Sequence, residues 1–370
     1  MRRAAIAGCG LSGAVIAREL AESGAWQIDL FDERAHIGGN CHTERDSKTG
    51  IMVHQYGPHI FHTDDEEVWG YANRFAEFKP FYNRVKAIYR GQVYSLPISL
   101  HTINQFFKKS LSPDQAKDFI ESISEQSIGT PKSFEEQALK FVGKDLYEAF
   151  FYGYTLKQWG VDPKQLPASI LKRLPVRFNY NDTYYNCKYQ GMPVNGYTDL
   201  IEKILDHPNI KYSLGQRVDD SLLSQYDHLF YSGTIDGFYG YRFGRLSYRS
   251  IEFERFYYDG DFQGNAVVNY SDMDVAHTRI TEHKHFAPWE SHEGSICFKE
   301  YSKQTGQNDI PYYPMSLKRD KSKLGHYLDL AAKEKNVTFV GRLGTYRYLD
   351  MHVCIREALN TGRAFLKKKI

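Results

Sequence analysis

The stretch Ala4-Ala5-Ile6-Ala7-Gly8-Cys9-Gly10-Leu11-Ser12-Gly13, with the residues after it, decides the fold. Its first four residues read as a short buried strand. The glycines break that strand, and Ala14 to Ser23 is a helical stretch. Gln27-Ile28-Asp29-Leu30-Phe31 reads as a second strand, ending on Asp32, which lies 19 residues beyond Gly13 (32 minus 13). Strand, G-x-G-x-x-G, helix, strand and acid in this order predict a dinucleotide site. Gly8, Gly10 and Gly13 let the backbone approach a pyrophosphate, beside Ser12. The helix N-terminus supplies unpaired N–H groups and the positive end of its dipole, and the Asp32 carboxylate accepts from a ribose hydroxyl. The glycine pattern alone is weak; both strands, the helix and the acid give it weight.

The next residues, Glu33-Arg34-Ala35-His36-Ile37-Gly38-Gly39-Asn40, read locally as a turn after a strand. Acid, base and Gly-Gly in this order also resemble the extended FAD-binding signature of the glutathione-reductase-like flavoproteins. That resemblance implies FAD rather than NAD, with Gly39 and Asn40 close to the flavin's phosphates.

Bulk properties narrow the class. The chain has 370 residues, 42% hydrophobic, with Lys+Arg 47 against Asp+Glu 45. That length suits two or three lobes, and the balanced charge gives no footprint for nucleic acid. The 5 cysteines include no C-x-x-C, which suits a reducing cytoplasm and no structural zinc. Arg2-Arg3 before a small apolar run faintly mimics a secretory signal, but the glycines and Glu19 interrupt it. No run reaches the ~18 apolar residues a membrane span needs. Tyr 28 and Phe 23 are high counts. Core packing accounts for most of them. Tyrosines in polar settings, such as Tyr184-Tyr185 and Tyr312-Tyr313, also suit a sugar or nucleotide ligand, since each offers a face and a hydroxyl.

The pattern predicts an α/β protein with a discontinuous Rossmann-like nucleotide domain and two inserted lobes. The nucleotide domain takes residues 1–78, 195–242 and 316–370. A helical lobe takes 99–172, with Ser112-Pro113 and the capping box Ser133 to Glu136 as helix starts. An antiparallel sheet lobe takes 79–98, 173–194 and 243–315, including a hairpin turning at Gly91. The proline-rich segment 161–176 reads as a mobile loop. His283 and His285 alternate as on a strand and read as structural. His59 and His62 have the spacing of a metal pair, but no third ligand or H-E-x-x-H frame accompanies them, so no metal is expected.

Three further segments narrow the family: Gln55 to Thr63, Gly153 to Gly160 and Phe262 to Tyr270. With Tyr241 to Gly244 and Tyr346 to Asp350, they resemble the bacterial UDP-galactopyranose mutases, in the family's order, from about residue 4 to about 360. The resemblance implies a cytoplasmic FAD protein of three lobes, a homodimer, served by an NAD(P)H or flavin reductant. Its reaction interconverts UDP-galactopyranose and UDP-galactofuranose for cell-surface glycans, with no net redox change. In it the reduced flavin N5 attacks the anomeric carbon, UDP leaves, and the opened sugar recloses on another hydroxyl. The residues are compatible with that chemistry. No carboxylate pair set for glycosidic acid–base work, no Ser-His-Asp order and no cysteine in a nucleophile setting is evident. A cofactor carrying the covalent step accounts for this.

Residue by residue, the resemblance makes Arg173 and Arg279 the diphosphate pair, a role that suits guanidinium forks. Tyr184, Tyr313 and Tyr348 match phenols on the same phosphates. Phe150, Phe151 and Tyr154 match the uridine pocket, although a core stripe also explains Phe150. Asn83, Thr155, Trp159 and Asn269 match other substrate contacts. His59 matches a residue beside the isoalloxazine that tunes N5, which the resemblance makes catalytic together with Arg173 and Arg279. Gly8, Gly10, Ser12, Gly13, Asp32, Glu33, Gly39, Asn40, Ile60, Val218, Arg342, Asp350 and Met351 match the FAD site. Asp32 stands where members often carry Glu. Pro58 replaces a small residue near the sugar face, which leaves the sugar open: N-acetylated galactose on UDP, or a deoxy sugar such as fucose on TDP. Outside the family, an amine-oxidase-type flavoprotein shares the N-terminal signature but needs an apolar substrate tunnel. A non-catalytic nucleotide-sugar binder would bind UDP without turnover.

Overall fold

Strand β1, Arg2–Ala7, runs parallel to β2, Trp26–Asp32, and the helix between them, α1 at Leu11–Glu22, lies on the sheet they begin. The computed structural model describes residues 1–173, 176–218 and 224–369. Five parallel strands form this sheet, in the order Ile210–Leu214, β2, β1, His228–Tyr231, Val337–Phe339. β1 is central, with Ala4 opposite both Ile28 and His228. Covered strands should read as continuous apolar runs, and Ala4, Ala5 and Ile6 are fully buried.

Small residues let α1 sit low on the sheet. Ala14, Ala17 and Ala21 are buried beside Val15, Ile16 and Leu20. Gly13 sets the closest approach: a Cβ there would overlap the carbonyl oxygen of Gly8. The C-terminal helix, Met351–Lys369, packs across α1, and Arg363 Nε donates to Glu19 at 2.9 Å. The first turns of this helix pass Ser12, to whose side chain Cys354 hydrogen-bonds. No helix among the described residues is long and apolar enough to cross a membrane.

The helical lobe contains Leu100–Phe107, Pro113–Ile123 and Phe134–Leu146, then a π-helical turn over Tyr147–Tyr152 and the short helix Gly153–Trp159. Ser112 and Gln115 form a reciprocal capping box, with Pro113 at the first position. The box at Ser133 is only half made: Ser133 accepts from Glu136 N–H, but the Glu136 carboxylate turns to Lys132 N–H at 2.6 Å.

The third lobe is a seven-stranded sheet in the order Tyr313–Pro314, Tyr248–Asp259, Gly294–Gln304, Arg279–Glu282, Val267–Tyr270, Val85–Tyr89, Gln92–Leu96. The hairpin at Gly91 is present, with Arg90 and Gly91 both at positive φ, as a tight right-twisting turn needs. Three expectations change here. The sheet is mixed, because Val267–Tyr270 runs parallel to Val85–Tyr89, a strand from a distant part of the chain. Residues 173–194 do not extend it: their strand, Tyr189–Pro193, pairs with Phe61–Thr63 and Phe78–Pro80 in a separate three-stranded sheet. His283 and His285 lie in a 3-10 turn, His283–Phe286, just past their strand. At the end of that strand the Glu282 carboxylate accepts from the N–H groups of Phe262 and Gln263 at 2.9 Å.

The Gly13–Gly8 approach yields a test. Alanine is the better helix former, so Gly13→Ala should stabilise an isolated helix. In this fold we expect it to lower stability by about 1–3 kcal/mol, as overpacking does, and to lower bound cofactor per chain. A melting temperature and a cofactor content equal to wild type would show that the approach carries no such constraint.

Candidate functional site

The site begins where the sheet's carboxyl ends meet the glycine-rich turn. Gly8, at φ 109°, follows β1, and its N–H donates to Phe31 O at 2.7 Å. Gly10 precedes α1 with no side chain capping the helix. Gly39, at φ 54°, faces Gly10 across the fold: a Cβ on Gly39 would stand 3.2 Å from Gly10 Cα. Two side-chain-free loops thus confront each other at an uncapped helix N-terminus, an arrangement suited to an anion. The Asp32 carboxylate ties them, accepting from Cys9 N–H at 2.8 Å and Arg34 N–H at 2.9 Å. Arg34 reaches Asn40 Oδ1 with Nη2 at 2.8 Å, while its Nη1 is buried without a partner. An orphaned guanidinium nitrogen beside a double-glycine loop is what a bound diphosphate would satisfy. The residues present therefore fit a dinucleotide. Arg34 is a candidate contact that the sequence reading passed over as part of a turn. Glu33 lies apart on the surface, 3.3 Å from Arg217. Val218 packs against the cluster of Ala5, Phe31 and Leu229.

Ser12 links this cradle to a second group of residues. It lies beside Gly341, whose added Cβ would stand 3.2 Å from Ser12 Oγ. The next residue, Arg342, donates to Leu349 O at 2.6 Å and lies over the rings of Tyr313 and Tyr348. Those rings stack at 5.2 Å between centroids. Asp350 and Met351 follow at the head of the C-terminal helix. Ile60 is buried in the main core nearby.

Arg279 is the other focus. It begins the strand Arg279–Glu282, opposite Asn269 on one neighbour and Glu300 on the other. Its Nε donates to Glu300 Oε2 at 2.7 Å. Glu300 is 1% exposed, and its other oxygen has no partner. Burial pushes the Glu300 carboxyl up, and the Arg279 guanidinium opposes that shift. Tyr154, Tyr184 and Tyr313 all lie within electrostatic reach of Arg279. Burial raises these phenols above their usual range, so each remains an O–H donor at neutral pH. Asn83 joins them through its backbone oxygen, which accepts from Tyr184 N–H at 2.7 Å. The side-chain oxygens of Asn83 and Asn269 are buried and unpartnered. The structure thus gathers Asn83, Tyr154, Tyr184, Asn269, Arg279, Tyr313, Tyr348 and Arg342 together.

Other expected residues sit differently. Phe150 is a core ring, packed against Tyr94 at 5.1 Å and Phe106 at 5.5 Å. Phe151 leans edge-on to Phe134. Thr155 is buried and Trp159 packs against the helical-lobe core. Arg173 ends a short 3-10 helix, and its side chain lies outside the described residues. His62 stacks on Tyr185 at 3.7 Å, with its Nδ1 3.3 Å from Cys187 Sγ. His62, Asp350 and His352 bring ligand atoms within 4.8 Å of one another, a group that leaves His59 out.

His59 Nδ1 lies 2.9 Å from Gly57 O. A carbonyl only accepts, so Nδ1 carries the proton and Nε2 is left as an acceptor. Burial, reinforced by Arg342 and Arg279, pushes the imidazole down to about 4. The ring is therefore neutral at pH 7 and charges only near pH 4. Nitrogen-detected NMR should show the Nδ1–H tautomer of His59 unchanged from pH 8 to about pH 5. A midpoint near the ordinary histidine value would contradict this placement.

The profile of the UDP-galactopyranose mutase family matches residues 149–348, and that of an NAD(P)-binding Rossmann-like domain matches residues 6–75. A probable UDP-galactopyranose mutase of Klebsiella pneumoniae is 60% identical over 98% of this chain and 94% of that protein. A dTDP-fucopyranose mutase of Escherichia coli is 54% identical over 99% of each. The solved structure of a reduced UDP-galactopyranose mutase shares the fold at a TM-score of 0.77, covering 99% of this chain and 96% of that one at 15% identity.

Proposed function

The chain belongs to the UDP-galactopyranose mutase family, an isomerase family, and we propose that it interconverts UDP-galactopyranose and UDP-galactofuranose with a reduced FAD. The observation that carries this reading is the gathering of Arg279 and its tyrosines next to the dinucleotide cradle. A nucleotide sugar has a diphosphate to anchor and an anomeric carbon to present, and these residues suit the first task. Arg279 is oriented by Glu300, so its free nitrogens point where that pair directs them. Tyr184 and Tyr313 add neutral O–H donors to phosphate oxygens, with the Tyr348 hydroxyl beside them, and Arg173 is the second guanidinium of the proposal. Asn83 and Asn269 offer unpartnered amide oxygens to sugar or ribose hydroxyls. Thr155, Trp159 and Tyr154 hold the uridine end, with Phe150 and Phe151 backing them from the core.

FAD would be held by Gly8, Gly10, Ser12, Gly13, Asp32, Arg34, Gly39, Asn40, Arg342, Asp350 and Met351, with Glu33, Ile60 and Val218 at its margins. When bound and reduced, it supplies the nucleophile for the anomeric carbon, which explains why the protein needs none of its own. His59, neutral with Nε2 as an acceptor, adds no positive charge beside the isoalloxazine. The protein's share of catalysis is then to position the substrate and exclude water. Such positioning is worth up to about 7–11 kcal/mol for well-aligned reactants. We place the enzyme in the cytoplasm as a homodimer, feeding galactofuranose to cell-surface glycans, with NAD(P)H or a free flavin as reductant. The Escherichia coli relative supports a second reading, a mutase on a dTDP-linked deoxy sugar.

Both readings are tested together. Flavin-loaded protein reduced with dithionite should convert UDP-galactofuranose to UDP-galactopyranose by chromatography, faster than it converts dTDP-fucofuranose. The reverse preference would select the second reading; no conversion of either would sink both. Arg279→Ala should keep its yellow colour yet lose about 10²-fold in turnover, or about 2.7 kcal/mol. Loss of flavin instead would mean that Arg279 serves the cofactor.

A further inference from the structure

We infer that Lys157 is a positioning residue for the nucleotide: its ammonium fastens the helix bearing Tyr154, Thr155 and Trp159 to the loop between Asn269 and Arg279. Lys157 lies on the short helix Gly153–Trp159. Its Nζ donates to the carbonyl oxygens of Tyr270 at 2.7 Å, Asp272 at 2.9 Å, Val275 at 2.9 Å and His277 at 3.1 Å. An ammonium has three protons, so four oxygens must share them. All four belong to the segment that leaves the strand Val267–Tyr270 and enters the strand Arg279–Glu282. Carbonyl dipoles converging in this way repel one another, and the cation at their centre is what permits the loop's shape.

Two further contacts fix this helix to the sheet lobe as well as to the helical lobe it follows in sequence. Gly153, at its start, lies so close to the same loop that a Cβ would overlap the Ser271 carbonyl oxygen. Arg249, from the strand Tyr248–Asp259, takes carbonyls at its other end: Gln158 O at 3.0 Å and Lys157 O at 3.2 Å. Gly160 makes room for that guanidinium, since a Cβ there would stand 2.5 Å from Arg249 Nη1. A helix of 7 residues has little stability of its own, so these fasteners set its position. Tyr154 lies between them, with its phenol within reach of Arg279. Loosening the helix would therefore move the ring relative to the guanidinium, while the cradle around Gly8 and Gly39 stays in place.

The inference rests on the reading that Tyr154 and its neighbours hold the nucleotide, so Tyr154→Ala serves as the control. The experiment uses full-length, flavin-loaded protein, with UDP affinity from calorimetry, kcat and KM on UDP-galactofuranose, and flavin content from absorbance. Lys157→Met keeps the apolar stem and removes the donors. We expect UDP affinity to fall and KM to rise about tenfold, with kcat within about twofold and flavin unchanged, because placement and not chemistry is disturbed. Lys157→Ala should bind UDP more tightly when ethylammonium is added, a dependence that a general loss of stability would not produce. Gly153→Ala suits a helix, leaves Lys157 intact and should weaken UDP in the same direction. Should Lys157→Met fail to fold, Gly153→Ala and the amine rescue decide. Wild-type UDP affinity in Lys157→Met or Gly153→Ala, a fall in kcat with KM unchanged, or no response to ethylammonium overturns the inference. If Tyr154→Ala also binds UDP normally, the nucleotide assignment itself fails; if it binds weakly while Lys157→Met does not, only the fastening is wrong.

Discussion

A half-buried guanidinium held by a buried carboxylate, Arg279 on Glu300 at 2.7 Å, is the contact around which the proposed substrate side of this site is arranged. Two charges out of water are costly, and their mutual attraction roughly repays the cost only when geometry is good. Such a pair therefore contributes little net stability. Removing one partner alone would leave an uncompensated charge, at about 3–5 kcal/mol. The pair fixes a direction: with Nε committed to Glu300, the rest of the fork is held where Tyr154, Tyr184 and Tyr313 gather. Strand register makes the contact possible, because Glu300, Arg279 and Asn269 form one row across three strands.

The cofactor side follows a different rule, absence of side chains. Gly10 and Gly39 meet Cα to Cα, and Gly13 lets α1 descend onto the turn after β1. The two sides join at Gly341 and Arg342, which touch Ser12 on one hand and the stacked Tyr313 and Tyr348 on the other. A dinucleotide in the cradle and a diphosphate at Arg279 would be neighbours for that reason, and no long-range device is needed.

The cradle was legible in the sequence because it is local. Glycine spacing, the strands on each side and Asp32 all lie within forty residues, where backbone geometry leaves few choices. Arg279 and the tyrosines could be named only through family resemblance, since nothing in their immediate sequence distinguishes them. Glu300 was missed because only the strand pairing brings it to Arg279. Lys157 looked like one more helix lysine; its four carbonyl partners come from a loop more than a hundred residues later. Residues 173–194 were assigned to the sheet lobe as a segment, but their strand Tyr189–Pro193 pairs with Phe61–Thr63 and Phe78–Pro80, because position along the chain does not reveal a strand's partner. Phe150 shows the converse: the resemblance suggested the pocket and its helical spacing the core, and the rings of Tyr94 and Phe106 surround it in the core.

The central claim is that Arg279, oriented by Glu300, receives the diphosphate of a nucleotide sugar beside the dinucleotide cradle. A crystal structure of the reduced, flavin-loaded protein with UDP bound tests it most directly. The account predicts phosphate oxygens within hydrogen-bond distance of the Arg279 guanidinium and of at least one hydroxyl among Tyr184, Tyr313 and Tyr348, with Glu300 still on Nε. A diphosphate seated elsewhere, with Arg279 touching only protein, would contradict it.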